Sequence, residues 1–329
     1  MRYLLTTIVA SLLLVSCEYT GPKILPNISG ASGEIIVIID RNEWDAEIGV
    51  ALQSVLAAEE PYLPQREPMF NLANLPETNF SRVFQTHRNI VIVDISADIA
   101  QPSMGYQENI WAAPQTIVKI SGANGAQIAK MIEENGSKLQ EIFLLAERNR
   151  IIQSSKKYED NSTLRMTVMD MFGGSPFFPR GYSLMKESKN NNFIWISNES
   201  TYINQGVLIY SIPYLDESNL SLEYLINQRD LVLEANVPGP SQGSYMITNR
   251  TEPQGIKEVT FGDKTFIEVK GLWDVQNDFM GGPFVCLFLP DKENKTIIAL
   301  DAFVYAPRYD KRNYIRQVES IIYSFEYKN

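Results

Sequence analysis

The chain has 329 residues, 44% of them hydrophobic, and its 29 basic and 39 acidic side chains give a net charge of −10. This acidic balance argues against binding to nucleic acid and against docking on anionic lipid headgroups. The length predicts about two domains, and the hydrophobic content is high enough for a substantial core.

The first residues are typical of an export signal. An apolar run of about 13 residues follows Arg2, which is shorter than the roughly 20 residues needed to span a bilayer. The run ends in LLVSC, which matches a bacterial lipobox: the chain is cut before Cys17 and the thiol is acylated. We therefore predict a signal peptide over residues 1–16 and a lipid anchor such as palmitate on Cys17. The alternative is an ordinary secretory signal whose cleavage site happens to lie near a cysteine.

Residues 17–33 are rich in proline, glycine, serine and asparagine, and we predict that they form a lipidated tether. No later stretch is apolar enough to span a membrane. The polar segment SSKKYEDNS at 154–162 is the predicted boundary between an N-terminal α+β half, 34–160, and a C-terminal β-rich half, 161–329.

In the first half, apolar runs predict strands and helical spacing predicts helices. The predicted strands are EIIVII at 34–39, NIVIVDI at 89–95 and QTIVKIS at 115–121. The predicted helices start near Trp44, within 77–87, and on either side of Gly136. The segment PYLPQREPMF contains three prolines and is predicted to be irregular.

In the second half, strands dominate the prediction. Helical spacing continues from Leu164 until Gly173, and three strands follow within 181–212. A helix is predicted over 216–235, then two hairpins, KEVTF with TFIEVKGLW and PFVCLFL with TIIALDAFVY. A closing helix after Pro307 is predicted to be capped by Asp310. The expected fold class is therefore α+β, a largely antiparallel sheet packed by helices, as one body or as two lobes.

Two cysteines allow no intramolecular disulfide if Cys17 is acylated. Cys286 lies in PFVCLFL, which is apolar on both faces, so we interpret it as a buried small hydrophobe. Stability is then expected to come from the hydrophobic core.

The motifs for catalysis are sparse. The single histidine, His87, precedes a strand and is expected to be solvated. Because the chain has one histidine, a His-rich metal site is excluded. The sequence GPSQG around Ser241 matches a nucleophile motif, yet prolines flank it and no histidine follows. We predict no metal site, no cofactor and no catalytic residue.

One stretch differs from ordinary strand sequence: GLWDVQNDFMGGPFVC at 271–286. Adjacent glycines allow positive φ or the close approach of another backbone. A tight turn between strands is one interpretation. The other is a rim for a ligand or a partner chain, formed by Trp273, Met280, Gly281 and Gly282.

Several segments together resemble a lipoprotein family of the Bacteroidota, known as domain of unknown function 4837. They are the lipobox, EIIVIID with Trp44, LPQREPMF, HRNIVIV, WAAPQTIV, RDLVLEANVPGPSQGSYM, GLWDVQNDFMGGPFV and FVYAPRYDKRNYIRQVESIIYSF. The resemblance implies a cell-envelope protein, and it carries no activity or site residue. Because only Glu18 follows the cysteine before YTGP, it implies an outer-membrane protein facing the periplasm more than the cell surface.

The sequence thus favours a membrane-anchored cell-envelope lipoprotein that acts as a non-enzymatic binding or assembly module for an envelope protein or a glycan. The alternative is a carboxylate-dependent hydrolase or carbohydrate-active enzyme of the periplasm, since the many acidic residues leave room for an acid pair. A purely structural spacer is a third hypothesis. A pocket with paired carboxylates of shifted pKa would favour the enzyme, and an apolar groove would favour the binding module.

Overall fold

The computed structural model describes residues 24–262 and 264–327, so the predicted signal peptide and Cys17 lie outside the described residues. The helices are α1 Arg41–Trp44, α2 Glu47–Leu56, α3 Arg82–Gln85, α4 Gly125–Glu134, α5 Gly136–Ser154, α6 Ser162–Phe172, α7 Leu222–Asn236 and α8 Arg312–Ile322. Short 3-10 turns cover Glu77–Asn79 and Glu217–Leu220, and a π turn, Ser155–Glu159, continues α5.

Fifteen strands are assigned in the described ranges, and they form two main sheets and one small one. In the first half they are β1 Glu34–Ile38, β2 Asn71–Leu75, β3 Asn89–Ile95, β4 Ser103–Glu108 and β5 Thr116–Gly122. In the second half they are β6 Gly174–Ser175, β7 Ser183–Ser188, β8 Phe193–Glu199, β9 Asn204–Pro213, β10 Tyr245–Thr248, β11 Gly255–Phe261, β12 Lys264–Gln276, β13 Gly281–Asp291, β14 Thr296–Tyr305 and β15 Glu326–Tyr327.

The first sheet has the strand order β2-β1-β3-β5-β4, and its first four strands are parallel. Only the edge strand β4 is antiparallel, against β5. Alternate residues of the strands point to opposite faces. One face packs under α2, α4 and α5 and holds Val37, Val91 and Val118. The other face holds a smaller cluster of Ile36, Ile38, Ile90 and Ile117, on which Phe80 and Trp111 pack.

The second sheet has eight antiparallel strands in the order β10-β12-β13-β14-β9-β8-β7. β11 pairs with the first part of β12, whose 13 residues also leave room for β10 at the other end. Helices α6 and α8 pack on one face of this sheet, and α7 packs on the other. The predicted fold class, α+β with largely antiparallel sheet packed by helices, is confirmed. The parallel order of the first sheet was not predicted.

Helix α8 joins the two halves. Its first backbone N–H groups, those of Lys311 and Arg312, donate to the Glu67 carboxylate at 2.6 and 2.8 Å. The carboxylate therefore occupies the helix N-terminus, where negative charge is favoured. The predicted cap was Asp310, but the helix is capped from the proline-rich segment of the first half instead.

A charge network around the buried Glu319 holds the same helix near its C-terminal end. Glu319 accepts from Arg148 of α5 at 3.0 Å and from Lys270 of β12 at 2.9 Å. Burial alone would raise the pKa of Glu319, but the charges of Lys270 and Arg148 outweigh it and lower that pKa to about 2. Glu319 therefore stays ionised at neutral pH and links a helix of the first half to a strand of the second.

Residues that precede β1 already pair with the first half of the chain. Isolated bridges pair Asn27 with Ala113 and Ser29 with His87. Residues 27–29 of the predicted tether thus lie against the amino ends of β3 and β5. Within the described residues, no helix is both long and apolar enough to cross a membrane.

Candidate binding cleft

The hairpin of β12 and β13 borders an open cavity. The strands pair Trp273 with Gly282 and Asp274 with Gly281. The turn at 276–280 closes with the Val275 N–H donating to the carbonyl of Met280 at 2.9 Å. Asn277 takes the left-handed φ of 65° that the turn needs, and asparagine tolerates it better than most residues.

The cavity, which we call the cleft, has a volume of about 820 Å³. It lies between the hairpin turn, the loop 249–252 after β10, and Leu63 and Pro64 from the proline-rich segment of the first half. Both halves of the chain therefore contribute to it.

The predicted rim residues all lie at this cleft, but they differ in burial and in what they contact. Trp273 is 1% exposed, and its ring packs edge-to-face on Phe303 with centroids 5.6 Å apart. Its Nε1 donates to the carbonyl of Val304 at 3.3 Å. The tryptophan ring is thus a core group, and only its backbone borders the cleft. Met280 is half-buried against the same core.

The two glycines begin β13, and neither has a positive φ. A Cβ on Gly282 would collide with the carbonyl oxygen of Val304, and one on Gly281 would lie 2.8 Å from the Trp273 carbonyl oxygen. The glycines are therefore explained by the close approach of neighbouring backbone, one of the two reasons that the sequence suggested.

Phe279 is the feature of the cleft that the sequence did not reveal. Its side chain is fully exposed at the tip of the hairpin turn. Its backbone N–H donates to Asp278 Oδ1 at 2.7 Å, and Asp278 Oδ2 accepts from Ser241 Oγ at 2.5 Å. These bonds tie the turn to the 239–244 loop, so an aromatic ring is presented to solvent on a fixed support.

The opposite wall of the cleft is polar and is also held in place. The Asn249 side chain accepts from the backbone N–H groups of Thr251 and Glu252 at 2.9 and 3.2 Å. Arg250 pairs with Asp230 of α7 at 2.6 Å. The wall therefore offers hydrogen-bonding groups on a loop that is fastened to the second half.

The candidate nucleophiles do not combine into a catalytic group in the described residues. Ser241 donates to Asp278, and this bond together with the Phe279 N–H lowers the pKa of Asp278, which makes that carboxylate a weak base.

His87 lies in the first half; it is buried rather than solvated as predicted, with Nδ1 3.0 Å from the carbonyl oxygen of Asn89. Cys286 is buried, as predicted, and burial raises the pKa of its thiol. Within residues 24–262 and 264–327, no group of three or more His, Cys, Asp and Glu side chains is placed to hold a metal ion.

Two solved structures are distantly similar to the chain. The Ran-binding protein Mog1p of Saccharomyces cerevisiae has 11% identity and a TM-score of 0.32, covering 47% of this chain and 90% of its own. A single-residue mutant of protein Mog1 has 10% identity and a TM-score of 0.30 with the same coverage. No curated protein matches the chain significantly.

Family models divide the chain between its two halves. Residues 29–156 match the domain of unknown function DUF8532, and residues 161–324 match the domain of unknown function DUF4837. The motifs EIIVIID, LPQREPMF, HRNIVIV and WAAPQTIV fall in the first range, and the later ones fall in the second. The resemblance to DUF4837 is therefore confirmed over residues 161–324.

Proposed function

We propose that this protein is a lipid-anchored, non-enzymatic binding module of the bacterial cell envelope that holds a partner protein at the cleft. The observation that carries the binding role is the fully exposed ring of Phe279 on a fixed hairpin turn beside an open cavity. Aromatic side chains with few rotatable bonds are frequent anchors of protein interfaces. Burying such a ring in a partner contributes about 1.5–3 kcal/mol.

The fixed geometry supports the same role. The turn is already bonded to Ser241, and the opposite loop is already paired with α7. Little ordering is then needed when a partner binds, which preserves affinity. The polar wall supplies hydrogen bonds around an apolar anchor, which is the usual arrangement of interfaces.

The envelope location rests on the first 17 residues of the sequence. Nine residues separate Cys17 from Asn27, where the described fold begins to pair. At about 3.3–3.6 Å per residue, this tether reaches roughly 30 Å when fully extended. A lipid on Cys17 would therefore hold the body close to the membrane, and we place it at the outer membrane, facing the periplasm.

Cys17→Ala is expected to remove the protein from the membrane. Without the thiol there is no acyl acceptor, so the variant should appear in the soluble fraction or remain as an uncut precursor. Fractionation followed by immunoblotting measures this, and intact mass spectrometry of the wild-type protein should show the acyl chains. A processed variant that stays in the membrane fraction would contradict the anchor.

Phe279→Ser is expected to abolish partner binding and leave the melting temperature unchanged, because the ring contacts solvent in the free protein. A photo-crosslinking amino acid at position 279 should yield a specific adduct in cells. Leu215, also exposed and in the same half, is the matched control position and should give no such adduct. Equal crosslinking at 279 and 215, or full partner recovery by Phe279→Ser, would show that the hairpin tip is not the binding surface.

A further inference from the structure

A second cavity opens in the first half, and we call it the crevice. It has a volume of about 490 Å³ and is lined by the carboxyl ends of β1 and β3, by Phe80 and Gln85 from the segment between β2 and β3, and by Trp111 and Lys119. It shares no residue with the cleft.

The topology makes this position distinctive. From the end of β1 the chain runs through α2 to β2 on one side, and from the end of β3 it runs to β4 and β5 on the other side. The connections therefore diverge at the carboxyl ends of β1 and β3. Open α/β sheets bind ligands in the crevice at such a switch point, because the divergent connections leave a gap there.

The sheet face under the crevice is incompletely covered. Parallel sheets are normally covered on both faces, but α2, α4 and α5 all contribute to the core on one face. On the other face, Phe80 and Trp111 pack over the four buried isoleucines, and Ile92 is only half-buried. Ile92 thus provides an apolar floor that a ligand can reach, beside the rings of Phe80 and Trp111.

The walls combine a flat aromatic surface with hydrogen-bonding groups. Phe80 and Trp111 pack edge-to-face with ring centroids 5.4 Å apart, and both are only partly buried. Asp94 and Lys119, on neighbouring strands, form an ion pair of 2.9 Å at the rim. Gln85 and the carboxylates of Asp40, Glu43 and Glu77 complete the lining.

The lining selects one class of ligand. Carboxylates accept hydrogen bonds from hydroxyl groups and repel anions, so phosphates and acidic sugars are disfavoured. A tryptophan face suits the apolar C–H face of a sugar ring, and Lys119 and Gln85 can donate to ring and hydroxyl oxygens. A neutral saccharide satisfies the floor, the aromatic wall and the polar rim together.

We propose that the crevice at the ends of β1 and β3 binds a neutral saccharide, with a sugar ring on Trp111 and its hydroxyl groups on Asp94, Lys119 and Gln85. The site would give the protein a glycan contact separate from the protein contact at the cleft. Its occupation does not require the cleft to be functional.

Calorimetric titration of the purified full-length protein tests this with three neutral probes, triacetylchitotriose, cellotriose and maltotriose. At least one should bind at millimolar concentration or below.

Trp111→Leu keeps an apolar cover on the isoleucines but loses the flat ring, and should weaken binding about tenfold. Asp94→Asn keeps the side-chain shape and should also weaken it. Tyr106→Ala removes an exposed aromatic ring of β4 outside the crevice and should bind like the wild type.

Melting curves of each variant show whether it is folded, so lost binding can be separated from lost structure. Two further probes fix the ligand class: galacturonic acid oligomers for anions and cadaverine for amines. Both should bind at least ten times more weakly than the best neutral saccharide. The proposal is overturned if no neutral probe binds, if Trp111→Leu binds as well as the wild type, or if cadaverine binds more tightly than every saccharide.

Discussion

Asp301→Ala is expected to lower the free energy of unfolding by about 3–5 kcal/mol, because it leaves the guanidinium of Arg229 buried without its counter-charge. Both side chains have no exposed surface. Arg229 donates to Asp301 through Nε at 2.7 Å and through Nη2 at 3.3 Å, and it donates to Thr248 Oγ1 at 2.8 Å. Its guanidinium also lies 3.7 Å from the centroid of the Phe284 ring. Chemical denaturation followed by circular dichroism measures the loss.

The double replacement Arg229→Met with Asp301→Leu is the informative control. Burial raises the pKa of Asp301 although Arg229 opposes the shift, whereas the charge of Asp301 raises the pKa of Arg229 against the effect of burial. Taking two charges into a core carries a desolvation cost that well-packed apolar side chains avoid. Two apolar side chains of similar volume should therefore restore most of the stability that Asp301→Ala loses. If the double variant is as unstable as the single one, the ion pair itself, rather than the orphaned charge, is what stabilises the core.

The strands of the second half could be predicted because their partners are close in sequence. PFVCLFL and TIIALDAFVY became β13 and β14, and KEVTF and TFIEVKGLW became β11 and β12. Turn residues between apolar runs are enough to predict such hairpins. The helix expected over 216–235 appears as a 3-10 turn followed by α7.

The strand order of the first sheet could not be predicted from local sequence patterns. Strands β1, β3 and β5 were each predicted, but nothing local in them encodes that they pair in parallel or that β2 lies beside β1. Parallel pairing depends on crossovers, which are set by packing between distant elements. The crevice follows from that order and therefore could not be predicted either.

The same limit applies to single residues. Glu67 caps a helix that begins 245 residues later, so no capping rule based on neighbouring residues could select it over Asp310. At the cleft, the glycine pair left positive φ and close approach of backbone as alternatives, and a Cβ on either glycine would meet neighbouring backbone. The exposure of Phe279 and the burial of Trp273 depend on where the turn at 276–280 falls between β12 and β13, and an aromatic residue gives no sign of this in a single sequence.

Trp273→Ala is expected to destabilise the protein by about 3–5 kcal/mol, the usual cost of removing a large buried aromatic side chain. The indole packs on Phe303 and lies near Tyr305. Its removal therefore leaves a cavity in the core between the second sheet and helix α7. The carbonyl of Val304 also loses a hydrogen-bond donor. Thermal denaturation should show a clearly lower melting temperature, whereas Trp273→Phe, which retains most of the volume, should lose much less.

Comparing this variant with Phe279→Ser separates the core of the hairpin from its surface. The two aromatic residues are six positions apart on the same hairpin, yet one is buried and the other is fully exposed. Trp273→Ala should therefore lose stability, and it should lose partner recovery only to the extent that it unfolds. Phe279→Ser should lose partner recovery with its melting temperature intact. If Trp273→Ala melts like the wild type but fails to recover the partner, the tryptophan ring itself belongs to the binding surface and its place in the core is wrong.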